Sequence, residues 1–162
     1  MKRYYQLVEE LSQHINEILP WDLVDLYESG AEPFIVDVRE PDEWEFARIE
    51  DSILVPRGIL ESACEWDYDE TVPELVEARD RDVIIVCRSG HRSVLAAYNM
   101  KLMGYRNPIS LKTGLRGWND YEQPLVNAAG EPVDIDEADE FFATKLRDDQ
   151  IDPARRKKLA SA

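Results

Sequence analysis

The run Val83-Ile84-Ile85-Val86, leading without a break into Cys87-Arg88-Ser89-Gly90-His91-Arg92-Ser93, constrains this chain more than any other feature. Four consecutive branched apolar residues exceed what a half-exposed strand needs. They predict a strand buried on both faces, as in a parallel sheet covered by helices. Gly90 permits a sharp bend. Residues from about Ser93 to Met103 are apolar on most sides until Gly104, which predicts a buried helix. Cys87 is thereby expected at the carboxyl end of a parallel strand, where such sheets hold their ligands.

The rest of the chain reads as the same α/β class. Tyr4, Val8, Leu11, Ile15 and Ile18 recur at helical spacing, so an amphipathic helix is expected over the first 18 residues. Pro20 opens a second short helix that Gly30 stops. Phe34 to Val38, Ile53 to Val55 and Pro108 to Leu111 read as further strands, and Pro41 breaks the chain after the first of them. Residues 59–67 and 72–79 read as helices, and Gly114 and Gly117 frame a turn before Trp118. Alternating strands and helices imply a parallel sheet with helices on both faces. The expected organisation is an N-terminal helix over residues 1–19, one domain over 20–128, and a C-terminal extension over 129–162. That extension starts acidic, with Phe141 and Phe142 as an anchor, and its last part (148–162) is expected to be mobile. The Arg155-Arg156-Lys157-Lys158 cluster is read as solvated tail.

The loop itself has a chemical logic. Successive backbone N–H groups in a tight loop form an anion cradle. The helix N-terminus adds about half a positive charge, and Arg88 and Arg92 add two permanent ones. All favour thiolate over thiol. Ser93 suits a cap or first-turn position. Such a construction fits a nucleophile that attacks an anion or carries a negatively charged adduct. A merely buried, apolar Cys87 would leave the two Arg, the Gly and the helix start unexplained.

Charge supports looking there. The 162 residues carry 19 basic and 34 acidic groups, net −15. Between Cys87 and Asn119 there are six basic residues and no acidic one, leaving −21 on the remainder. This balance argues against nucleic acid and anionic membrane as partners. Two distant cysteines and two histidines offer neither a disulfide framework nor a metal centre. No signal-peptide or membrane-spanning run is legible, and a cytoplasmic location is expected. Oligomeric state is left open.

The loop Cys87 to Ser93 resembles the active-site loop of the rhodanese family, whose pattern is Cys-Arg-x-Gly-x-Arg-Ser/Thr. Asp37-Val38-Arg39-Glu40-Pro41, Val55-Pro56, and Gly114-Leu115-Arg116-Gly117-Trp118 through Gln123-Pro124 resemble three further family elements, in order, over roughly residues 20–126. One element departs. Where the family has Gly-His-Ile-x-Gly-Ala, this chain has Ala47-Arg48-Ile49-Glu50-Asp51-Ser52.

The resemblance implies a rhodanese-like fold and a thiosulfate-type sulfurtransferase, with neither a metal nor an organic cofactor. Cys87 would carry sulfur as a persulfide, taken from a small anionic donor and passed to a thiol, cyanide or a sulfur-carrier protein. Arg88, Ser89, Gly90, His91, Arg92 and Ser93 would bind the donor. Arg92 and the loop N–H groups would hold the anion, with Arg88 at the entrance. A relay or sensing module without fast turnover is the main alternative. A cysteine phosphatase is disfavoured, since it needs Cys-x5-Arg and the spacing here is Cys-x4-Arg. Cys64 is read as packing rather than as a resolving thiol, and Arg57 as either pocket or surface. Asp37 and Arg39 are read as a structural pair near Glu43 or Glu45, and His91 as pointing outward. Trp44, Trp66 and Trp118 are read as core or rim.

Overall fold

In the computed structural model, which describes residues 1–160, five parallel strands form one sheet in the order β1-β5-β4-β2-β3. The strands are β1 (Asn16–Ile18), β2 (Phe34–Asp37), β3 (Ile53–Leu54), β4 (Asp82–Val86) and β5 (Asn107–Leu111). The β4 strand is central, pairing with β2 (Val36 opposite Ile85) and with β5 (Ile84 opposite Ile109). Its residues alternate between two cores, as the period of two requires. Val83 and Ile85 face one side with Val36, Val38, Val55, Leu60, Leu75, Ala97 and Met100. Ile84 and Val86 face the other with Leu23, Ile35, Leu111, Leu115, Trp118 and Phe142.

The first core is covered by α4 (Leu60–Ala63), α5 (Pro73–Glu77) and α6 (His91–Leu102), the second by α2 (Pro20–Glu28), α7 (Gly114–Asp120) and α8 (Ile135–Phe142). Helices therefore lie on both faces, as the alternation predicts. Pro20 at the first helical position starts α2, and Gly30, at φ +80°, follows its end. The acidic segment after Gly130 becomes α8, capped by Asp134, whose carboxylate accepts from the Asp136 and Glu137 N–H groups. Ala138 and Phe142 anchor it in the core.

Three local expectations are corrected. The helix expected over the first 18 residues ends at Ser12 as α1 (Tyr4–Ser12), and Asn16–Ile18 instead becomes the edge strand β1 on β5. Ile15 and Ile18 continue the helical spacing by coincidence. A free sheet edge supplies hydrogen-bond partners that local periodicity cannot reveal. Pro41 does not merely break the chain but starts α3 (Pro41–Phe46), in which the Glu43 carboxylate accepts from the Glu40 N–H. The segment from Gly114 is a helix, α7, rather than a turn. Beyond α8, Asp148–Gln150 is a 3₁₀ turn and α9 (Pro153–Ala160) is helical, while residues 161–162 lie outside the described residues.

Asp37 and Arg39 form the structural pair expected of them. Both side chains are fully buried, with the Arg39 Nε and Nη2 groups donating to the Asp37 carboxylate at 2.8–3.1 Å. Arg39 Nη2 also donates to the Ala47 carbonyl at 2.6 Å, tying β2 to the segment that departs from the family pattern. In that segment Asp51 adopts φ +61°. This position matches the family's second Gly, and a left-handed backbone there is one that Gly would adopt without strain. Asp tolerates that region better than most residues.

Candidate active site

Cys87 follows the last residue of β4, and Gly90, at φ +88°, turns the chain into α6. The result is two N–H donors and one hydroxyl around one sulfur. The Gly90 N–H lies 3.1 Å from Cys87 Sγ and the Ser93 N–H 3.4 Å, and the thiol donates to Ser93 Oγ at 3.4 Å. A thiolate can only accept, so on ionisation that last bond reverses and Ser93 Oγ donates to sulfur. The Ser110 hydroxyl, 2.7 Å away, then donates to Ser93. Both serines are fully buried, and Cys87 itself is 1% exposed. Sulfur at the N-terminus of a twelve-residue helix also meets the positive end of its dipole.

The loop is braced from behind. The first turn of α7 donates to the loop's carbonyls, Leu115 N–H to Cys87 at 2.9 Å and Arg116 N–H to Arg88 at 3.0 Å. Gly114 makes this approach feasible, since a Cβ there would sit 2.5 Å from the Cys87 carbonyl oxygen. The carbonyls thus point away from the sulfur and the N–H groups toward it.

Outside the cradle lies a cleft of about 340 Å³, lined by Tyr4, Glu43, Arg88, Ser89, His91 and Arg92. Cys87, Gly90 and Ser93 therefore meet at the sulfur, and the other four loop residues form its mouth. His91 is exposed, as expected, with its ring edge-on to Tyr4 at 5.6 Å.

Arg92 departs from expectation. Its guanidinium does not stand free to hold an anion but is gripped bidentately by Glu43, with both N···O distances 2.8 Å. Burial opposes ionisation of Glu43, yet hydrogen bonds from Arg92 and the Glu40 N–H outweigh it and hold the carboxyl below its ordinary value. The segment from Cys87 to Asn119 has no acid of its own, but α3 brings one to it.

Three side chains at the site escape sequence reasoning. Glu43 lies 49 residues from its partner, and its only sequence trace is a position three residues after the helix cap. Ser110 is legible as a polar residue between Ile109 and Leu111 in an apolar strand. Tyr4 comes from the far N-terminus and leaves no signal beyond its place on an amphipathic face.

The other candidates lie elsewhere. Cys64 is fully buried in the first core, where burial raises its thiol pKa, and both cysteines are free. Arg57 pairs with Glu61 and is no part of the cleft lining. Trp118 is core, Trp44 is half-buried beneath the Arg48 guanidinium, and Trp66 is 50% exposed, outside both cores. Among the described residues no cluster of three or more His, Cys, Asp or Glu could hold a metal ion. No helix among them is long and apolar enough to cross a membrane.

The Rhodanese-like domain family model matches residues 19–121. The chain belongs to the rhodanese family. Among curated relatives, "Probable adenylyltransferase/sulfurtransferase MoeZ" of Mycobacterium tuberculosis is 30% identical over 107 residues, 66% of this chain. The match spans only about a quarter of that protein's length (25%). A sulfurtransferase of Allochromatium vinosum is 28% identical over 116 residues, covering 72% of this chain and 99% of its own. Among solved structures, a Rhodopseudomonas palustris protein of unknown function, described as a possible tyrosine phosphatase, superposes with TM-score 0.70 at 28% identity. It covers 77% of this chain and 95% of that one.

Proposed function

We propose that this rhodanese-family chain is a sulfurtransferase that carries sulfane sulfur as a persulfide on Cys87, loaded from thiosulfate or a similar small anionic donor. The observation that carries this reading is the convergence of the Gly90 N–H, the Ser93 N–H and the Ser93 hydroxyl on one buried sulfur. Preorganised donors stabilise charge without reorganisation at the moment of reaction.

In the first step the Cys87 thiolate attacks the outer sulfur of thiosulfate. A Cys87–sulfur bond forms, the sulfur–sulfur bond of the donor breaks, and sulfite leaves with the electron pair. The persulfide keeps one negative charge on its outer sulfur. In the second step an acceptor thiolate attacks that outer sulfur, and Cys87 leaves as thiolate. Charge balances in each step and no redox partner is required. The acceptor is a thiol, cyanide or a sulfur-carrier protein, and the sulfurtransferase names of the relatives support sulfur transfer in general. Arg88 at the mouth attracts the donor. Arg92, held by Glu43, shapes the wall and offers a partly neutralised charge.

Phosphoryl transfer is the second reading, favoured by the description of the R. palustris neighbour. Two features oppose it. The Cys87-to-Arg92 loop has only four intervening residues, and the guanidinium that would grip phosphoryl oxygens is occupied by Glu43.

Intact-mass analysis after thiosulfate treatment tests the proposal. Wild type and Cys64→Ser should gain one sulfur atom and Cys87→Ser none. No gain in wild type, or a gain that disappears only in Cys64→Ser, refutes it. Hydrolysis of para-nitrophenyl phosphate dependent on Cys87 would establish the phosphatase reading instead.

A further inference from the structure

We propose that Tyr4, on the N-terminal helix and outside the family-matched residues, is a specificity-determining residue whose hydroxyl donates a hydrogen bond to the anionic sulfur species at Cys87. The inference rests on the sulfur-transfer reading above and extends it to a residue the family pattern does not include, since the match begins at residue 19.

The helix α1 is fastened where it lies. It runs beside α6 in the same direction, with Tyr4 against His91 at one end and the His14 ring 5.9 Å from Tyr98 at the other. Lys101 Nζ donates to the His14 carbonyl at 2.6 Å, Val8 is buried between the ends, and β1 then joins the sheet. Tyr4 is thus a built wall of the cleft rather than a fraying terminus.

The donors available at the mouth are few. The Gly90 and Ser93 groups already point at Sγ. Arg92 is tied by Glu43. A sulfonate or an outer persulfide sulfur beyond Sγ needs further donors; Arg88, Ser89, His91 and Tyr4 line the cleft beside the loop, and of these only Tyr4 comes from outside it. Among the described residues the Tyr4 hydroxyl makes no hydrogen bond, while its ring is fixed edge-on against His91. Burial and the charge of Cys87 hold the phenol pKa above its ordinary value of 10.0, so it stays protonated and able to donate.

The experiment compares two reactions of Cys87 in wild type, Tyr4→Phe and Tyr5→Phe. One is persulfide formation from subsaturating thiosulfate, followed by intact mass. The other is alkylation by neutral iodoacetamide. Phe keeps the ring and its contact with His91 and deletes only the hydroxyl. Tyr4→Phe should react with thiosulfate about tenfold more slowly, equivalent to about 1.4 kcal/mol and typical of one hydrogen bond to a charged group. Its iodoacetamide rate should match wild type. Tyr5→Phe should match wild type in both. Thiosulfate rates equal in Tyr4→Phe and wild type would overturn the assignment. So would equal losses in both reactions, which would mean Tyr4 merely holds the loop. If wild type takes up no sulfur at all, the sulfur-transfer reading falls and Tyr4 falls with it.

Discussion

Gly114→Ala is the sharpest perturbation of the way this fold holds its nucleophile. Gly114 begins α7 at φ +62°, and an added Cβ would lie 2.5 Å from the Cys87 carbonyl oxygen and 2.6 Å from the Arg88 carbonyl carbon and oxygen. Real Cβ contacts do not fall below 3.0 Å, so these atoms must separate by about 0.5 Å or more. The atoms in the way are backbone, and they accept the Leu115 and Arg116 hydrogen bonds that brace the loop. Left-handed strain costs about 1–2 kcal/mol, and forced overpacking adds about 1–3 kcal/mol. The expected destabilisation is therefore about 2–5 kcal/mol, which lowers the urea midpoint by roughly 1–2 M at ordinary slopes. Buried Trp118 on α7 reports the transition by fluorescence. Displacement of the loop should also slow Cys87 alkylation, by up to about 100-fold if the shift approaches 1 Å. The control is Gly104→Ala. Gly104 has φ +88° but nothing within 4 Å of its Cβ position, so it carries the strain without the clash. Equal destabilisation of the two variants, with Cys87 reactivity unchanged in both, would refute the reasoning.

Three further predictions follow from the site and its supports. Glu43→Gln should free Arg92 and lower the KM for thiosulfate several-fold in steady-state assays; a raised KM would mean Glu43 is needed to position Arg92. Because Glu43 has a lowered carboxyl pKa in the fold, its contribution of about 1 kcal/mol is present above the unfolded value. It should disappear as pH falls through the folded one, so wild-type and Glu43→Gln urea midpoints should converge in acid. Asp37→Ala leaves Arg39 buried and uncompensated and should cost about 3–5 kcal/mol in urea unfolding. Cys64, buried and with a raised thiol pKa, should resist iodoacetamide at pH 8 until urea unfolds the chain, as peptide mapping can verify.

Much of the fold is visible in local pattern because local physics sets it. The Val83–Val86 run needs two covered faces. Pro20 suits a first helical turn, and Phe142 anchors the acidic helix that follows Gly130. The ends of elements are less legible, since they answer to neighbours. Asn16–Ile18 is a strand because β5 has an open edge beside it. Trp66 looks as apolar as Trp118 in the sequence, yet only Trp118 lies under a sheet face.

At the site the same division holds. That Cys87 ends a buried strand and begins a helix across a bend follows from four branched residues, one Gly and an apolar stretch, all contiguous. Cys87, Gly90 and Ser93 could therefore be named from the chain alone. Their convergence is a matter of loop geometry within seven residues. Tertiary structure alone decided what faces the cradle. Glu43 crosses from α3 to quench Arg92, Ser110 reaches Ser93 from β5, and Tyr4 arrives from a helix laid along α6. An electrostatic environment depends on distance in space. The segment without an acidic residue in sequence is, in the folded molecule, paired with one.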